Sequence, residues 1–307
     1  SRHSLHKYGR QSGESAEMIQ PDILKRRRLV ALLAAFGVAA LGAAAASAPA
    51  PPWITRQLLI PAPAADVLMV TPVLLPPRRA PFPLAVVNHG STESEQTRAQ
   101  YPLPSFPLIA ARLITRGYAV ALPQRPGHGE TGGPYLESPR GCDHAHFLAA
   151  GHAAADSIKA AVDYLLRTPS IRKQPVVLVG QSAGAWGALA LASTSSRVAA
   201  VINFAGGLGG RSFGVANHNC APERLIAAAG EFGRTSRVPT LWFYAQNDSY
   251  FAPTLSQRMA EAYRAAGGIV DYRLLPPVAP DGHYLIYSPS AERIWGPIVD
   301  RFLAGLR

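Results

Sequence analysis

The feature that most constrains this chain is an alternation. Predominantly apolar runs at residues 83–88, 118–122, 175–179, 198–204, 240–245 and 269–275, the one at 175–179 without a break, are separated by stretches with helical spacing. Runs that are predominantly apolar, rather than apolar at every second position, predict strands buried on both faces, and the stretches between them supply helical crossovers. The predicted class is therefore α/β, a mostly parallel central sheet with helices on both faces. Helices are expected over residues 103–116, 145–166, 183–192, 255–266 and 294–306. Residues 58–75 hold shorter β-like runs broken by Pro61, Pro63 and Pro72, which predict antiparallel or edge strands opening the sheet. Residues 205–222 read as irregular, Gly-rich chain, and the interval between the runs at 198–204 and 240–245 has room for a small cap over a pocket.

Two divisions are expected, a leader over residues 1–50 and one α/β domain over 51–307. Lys25-Arg26-Arg27-Arg28 precedes an apolar stretch at 29–46, and small residues and prolines follow. That layout predicts a secretory signal peptide, with an uncleaved N-terminal membrane anchor as the alternative. Met18 reads as a start residue. The expected location is exported, periplasmic or extracellular. In an oxidising compartment the two cysteines, Cys142 and Cys220, are candidates for one disulfide. Otherwise they are two buried thiols. Hydrophobic residues at 48% and charged residues at 16% exclude a disordered chain. The formal net charge is +11, of which residues 1–50 supply +4. The remaining basic residues are almost all arginines without a run, so no nucleic-acid partner is expected. Contact with a membrane is expected only during export or through the anchor.

Chemistry enters at Gly180-Gln181-Ser182-Ala183-Gly184, which fits G-x-S-x-G and lies between an apolar strand and a helix. Such a strand–turn–helix holds a nucleophile on a strained turn, where Gly180 and Gly184 keep neighbouring backbone clear. Ser182 is the candidate nucleophile. A base is offered by His283, after the last predicted strand. An orienting acid is offered by Asp248, after the run at 240–245, with Asp281 and Asp271 as rivals. All lie beyond strand ends, on one expected rim, except Asp271 near a strand start. The oxyanion donors expected are the N–H groups of Ala183 and Ser91, with Gly90 beside the latter. The Gly-rich stretch 124–131 predicts another loop at that rim. Asp143, His144, His146 and His152 lack the pattern of a metal site and read as a polar helix start; no metal or cofactor is expected.

As a set, His89-Gly90, the loop 125–131, Gly180–Gly184, Asn247-Asp248 and Gly282-His283 resemble the dienelactone-hydrolase-like branch of the α/β-hydrolase superfamily. They are also similar to the catalytic domains of prolyl oligopeptidase-type peptidases and to acetyl xylan esterases. The resemblance covers about residues 55–307 and implies the α/β-hydrolase fold with a Ser182–Asp248–His283 triad. One departure is plain. Dienelactone hydrolases proper carry a cysteine nucleophile, and here that place holds Ser182. Cleavage of a small carboxylic ester through an acyl-enzyme is the leading expectation. An exported serine peptidase is the second, and a non-catalytic envelope binding module with this fold is the third.

Overall fold

The computed structural model describes residues 53–64, 66–92 and 94–306. The leader, the signal or anchor and the start at Met18 lie outside the described residues.

The chain opens with β1 (Ile54–Pro61) and β2 (Leu68–Leu75), an antiparallel pair. Then come β3 (Leu84–Asn88), α1 (Glu95–Ala99), α2 (Pro107–Thr115) and β4 (Ala119–Ala121). Next are α3 (Phe147–Leu165), β5 (Val176–Gln181), α4 (Ala183–Ala192) and β6 (Val198–Phe204). The last part holds α5 (Pro222–Thr235), β7 (Pro239–Ala245), α6 (Pro253–Ala265), β8 (Ile269–Leu275) and α7 (Pro289–Ala304).

One eight-stranded sheet has the order β1-β2-β4-β3-β5-β6-β7-β8. Pairs from β4 through β8 are parallel, while β2 runs antiparallel to both neighbours. Helices flank this sheet, and the arrangement is the α/β-hydrolase fold. The burial follows the sequence pattern. Every residue of β3 and β5 is buried, whereas the edge strand β1 is largely exposed and β8, at the other edge, is mostly half-buried. The prolines of 58–75 sit in or beside edge-side strands, as expected.

Helix α4 is buried on all sides, which explains its unbroken small and apolar composition. Trp186 in α4 packs inside and donates its indole N–H to Phe147 O at 2.8 Å. On the other side Arg112 of α2 bridges Glu292 and Asp300 of α7. The interval expected to form a cap instead splits in two. Residues 205–221 line the site as a loop, and α5 packs as an ordinary flanking helix beside α3 and α6. Its amphipathic face, with Leu225, Ala229 and Phe232 buried, supplies the driving force.

Because the central strands are parallel, Asn88, Gln181, Phe204, Ala245 and Leu275 all end on one rim. The loops that follow them carry nearly every candidate site residue.

Candidate active site

Ser182 follows β5 with φ 54° and ψ −124°, a backbone conformation that a side chain adopts only at a cost of about 1–3 kcal/mol. The two flanking glycines make it possible. A Cβ at Gly180 would run into the backbone of Ala185, and one at Gly184 into the carbonyls of Asn88 and His89. The second clash adds something that the motif does not show: the elbow presses directly on the loop after β3. That loop is close enough for a Cβ on Gly90 to lie 3.2 Å from Ser182 Cβ. Ser182 itself is 9% exposed and lines a pocket of about 370 Å³. Ser91, Ala183, Tyr135, Arg211 and Tyr250 share the wall.

The loop at residues 89–91 is gripped by two imidazoles. His89 Nε2 accepts the Arg125 N–H at 3.0 Å, so the ring proton sits on Nδ1, which donates to Gly90 O at 2.6 Å. A trans peptide points its C=O and N–H in opposite directions, so fixing Gly90 O fixes the direction of the Ser91 N–H. On the other side His128 Nε2 lies 2.8 Å from Ser91 Oγ, while its Nδ1 faces the carbonyls of Arg125 and Pro126, both at 3.1 Å. Burial, aided by the nearby Arg125 charge, holds His89 well below its ordinary range. Burial also lowers His128. The N–H accepted by His89 requires that ring to be neutral, and burial favours the neutral form of His128 as well. Beneath them the Arg125 side chain is wholly buried against Glu137, with bonds of 2.5 and 3.0 Å. Removing one member of such a pair typically costs about 3–5 kcal/mol. Among the described residues, neither the Ser91 N–H nor the Ala183 N–H is used in a hydrogen bond.

The acid and the imidazole are also brought together. Asp248 is buried after β7, and its Oδ1 accepts the N–H groups of Tyr250 at 2.8 Å and Phe251 at 2.9 Å. Its two oxygens lie 3.3 and 3.4 Å from His283 Nδ1. The Tyr250 ring stacks on His283 with centroids 3.9 Å apart. The backbone of His283 is tied to the elbow, since Gln181 Nε2 donates to its carbonyl at 3.2 Å. No hydrogen bond joins Ser182 Oγ to His283 in this structure.

The rival acids lie elsewhere. Asp281 accepts the His283 N–H at 2.9 Å and the Ser249 N–H and hydroxyl, which makes it the cap of the loop and leaves the ring to Asp248. Burial pushes its carboxyl up, but these hydrogen bonds outweigh that and hold it below the ordinary value. Asp271 is half-buried in β8 and pairs with Arg273 at 2.7 Å.

Cys142 and Cys220 form a disulfide. It secures the pocket wall, because the Cys220 N–H donates to Gly209 O at 2.8 Å. No cluster of three metal-ligating side chains is present among the described residues.

The site residues that sequence reasoning missed are His128, Tyr135, Arg211 and Tyr250. Only His128 left a trace, inside the Gly-rich stretch already expected at this rim. The other three reach the pocket from loops without a distinguishing pattern.

The fold is similar to a Klebsiella pneumoniae protein assigned as a dienelactone hydrolase (15% identity, TM-score 0.55, 83% of this chain and 98% of that one). It is similar to a Pyrococcus furiosus esterase (16%, 0.60, covering 82% and 90%). It is also similar to the Pyrococcus horikoshii acylaminoacyl peptidase (14%, 0.60, 83%), of which it spans only 42%. No curated protein matches the chain in sequence. A sequence profile of the dienelactone hydrolase family matches residues 103–276, more than half of the chain and inclusive of the Ser182 elbow. The chain therefore belongs to the dienelactone hydrolase family.

Proposed function

We propose that the protein is a serine hydrolase that cleaves small carboxylic esters through an acyl-enzyme. The observation that carries this reading is the strained Ser182 elbow, with two unused N–H donors beside it and an Asp248–His283 pair tied to the preceding residue. Ser182 Oγ attacks the acyl carbon and passes its proton to His283 Nε2. Asp248 holds the opposite nitrogen protonated and stabilises the imidazolium. The N–H groups of Ala183 and Ser91 receive the oxyanion, and His283 returns the proton to the departing alkoxide. Water then repeats the sequence to release the acid.

The Ser182–His283 contact is expected to tighten when substrate arrives, as is common in hydrolases. A pocket of about 370 Å³ suits a small ester.

The test is a panel of p-nitrophenyl esters and aminoacyl p-nitroanilides, assayed with the wild type and with Ser182→Ala. Turnover of short-chain esters that disappears in the variant is expected. Turnover retained by Ser182→Ala contradicts the assignment, and a preference for the anilides replaces esterase with peptidase.

A further inference from the structure

The linear sequence shows no basic run in the domain, yet the fold makes a basic face. Strands β3, β5 and β6 begin on the rim opposite Ser182, and the flanking helices end there. Arg78 and Arg79 follow β2, Arg167 follows α3, Arg172 and Lys173 precede β5, and Arg197 precedes β6. All six are exposed. Two grooves of about 580 and 600 Å³ run between them and share Gln174.

Counter-charge is sparse. Asp163 pairs with Arg197 at 3.2 Å and with Lys159 at 2.6 Å, and Asp300 is occupied by Arg112 and Arg116. Among the described residues no carboxylate pairs with Arg78, Arg79, Arg167, Arg172 or Lys173. Cations in the last turn of a helix relieve its dipole, but Arg78, Arg79, Arg172 and Lys173 sit in loops ahead of strands, where that benefit is absent.

A second observation bears on what covers this face. Ile54 pairs with Leu75, level with the starts of β4 and β3, so the chain enters the domain at the basic rim. In sequence, Trp53 is preceded by a short linker at 47–52, the apolar stretch 29–46 and Lys25–Arg28.

We propose that this rim docks on a bilayer surface containing anionic phospholipid, leaving the Ser182 pocket on the opposite rim open to substrate. Charge complementarity favours an anionic surface. The export expected from residues 25–46, by signal peptide or by anchor, delivers the chain at a membrane, which favours a bilayer over a nucleic acid.

Sedimentation of the full chain with vesicles tests the proposal, comparing neutral phosphatidylcholine with the same lipid containing 30% phosphatidylglycerol. A basic residue near an anionic leaflet is worth about fivefold in partitioning. The variant Arg78→Glu, Arg79→Glu, Arg172→Glu, Lys173→Glu is expected to lose about 100-fold or more in binding to the anionic vesicles. Its circular dichroism and turnover of a soluble ester should match the wild type. A control of equal charge change away from the rim, Arg224→Glu, Arg258→Glu, Arg273→Glu, Arg293→Glu, should lose far less. Equal losses in both variants overturn the proposal. So does a rim variant that binds the anionic vesicles as tightly as the wild type, whatever the apolar stretch 29–46 contributes to neutral ones. Tighter binding of duplex DNA than of vesicles, at matched phosphate concentration, makes the partner a nucleic acid and also overturns it.

Discussion

The two halves of the candidate site are held to different tolerances. On the oxyanion side, Gly90 and Ser91 are fixed by contacts of 2.6 and 2.8 Å from two buried neutral imidazoles, above a fully buried Arg125–Glu137 pair. On the proton-transfer side, His283 lies 3.3 to 3.4 Å from Asp248 and has no hydrogen bond to Ser182. The difference has a physical logic. Donors that receive developing charge work best when already in place, because reorganising them during reaction consumes their advantage. The imidazole exchanges its proton through Nε2 while Asp248 holds Nδ1, a contact that commonly tightens only once substrate is bound.

The largest effect that would sharpen this contrast is at His283. His283→Ala is expected to lower kcat by about 10⁵-fold, measured on a p-nitrophenyl ester. Asp248→Asn should lower it by about 10³–10⁴-fold by favouring the wrong tautomer, while Asp281→Asn should cost less than about tenfold, since that carboxylate caps a loop. A reversed order would reassign the acid. On the oxyanion side, His128→Gln removes a positioning group, so kcat should fall about 10- to 100-fold with KM little changed. If KM rises instead, His128 shapes binding rather than the donor geometry.

Smaller effects appear in stability. The disulfide closes a long loop, 78 residues in separation, so replacing both cysteines by serine should cost about 4 kcal/mol. In a domain of this size that lowers Tm by roughly 10 °C in a thermal melt. The two lowered histidines give a pH dependence of definite sign. Unfolded, His89 and His128 take up protons as pH falls through about 6.5, while the folded protein resists until lower pH. The unfolded state then binds more protons, so stability declines as pH drops from 7 toward 5. His128→Gln should flatten that decline.

Much of this was legible in the sequence, because it rests on local rules. Predominantly apolar runs alternating with helical stretches pointed to the parallel sheet. The small residues around Ser182 marked a turn that tolerates nothing larger, and strand ends pointed to Asp248 and His283. Helix α5 was missed because Gly230, Gly233 and a preceding Gly-rich loop mask its periodicity, although Pro222 at its first turn and Glu223 beside it are ordinary start signals. The grip of His128 on Ser91, the Arg125–Glu137 pair and the arginine face were illegible for another reason. Each depends on residues brought together by the closing of the sheet, and no local pattern encodes that proximity.

The central claim is that Ser182 carries the acyl group. Rapid mixing with excess p-nitrophenyl acetate, acid quench and peptide mass spectrometry tests it most directly. The account predicts a burst of nitrophenol near one equivalent and an acetyl mass on the peptide containing Ser182. No burst, or an acetyl group found on another residue, would contradict it.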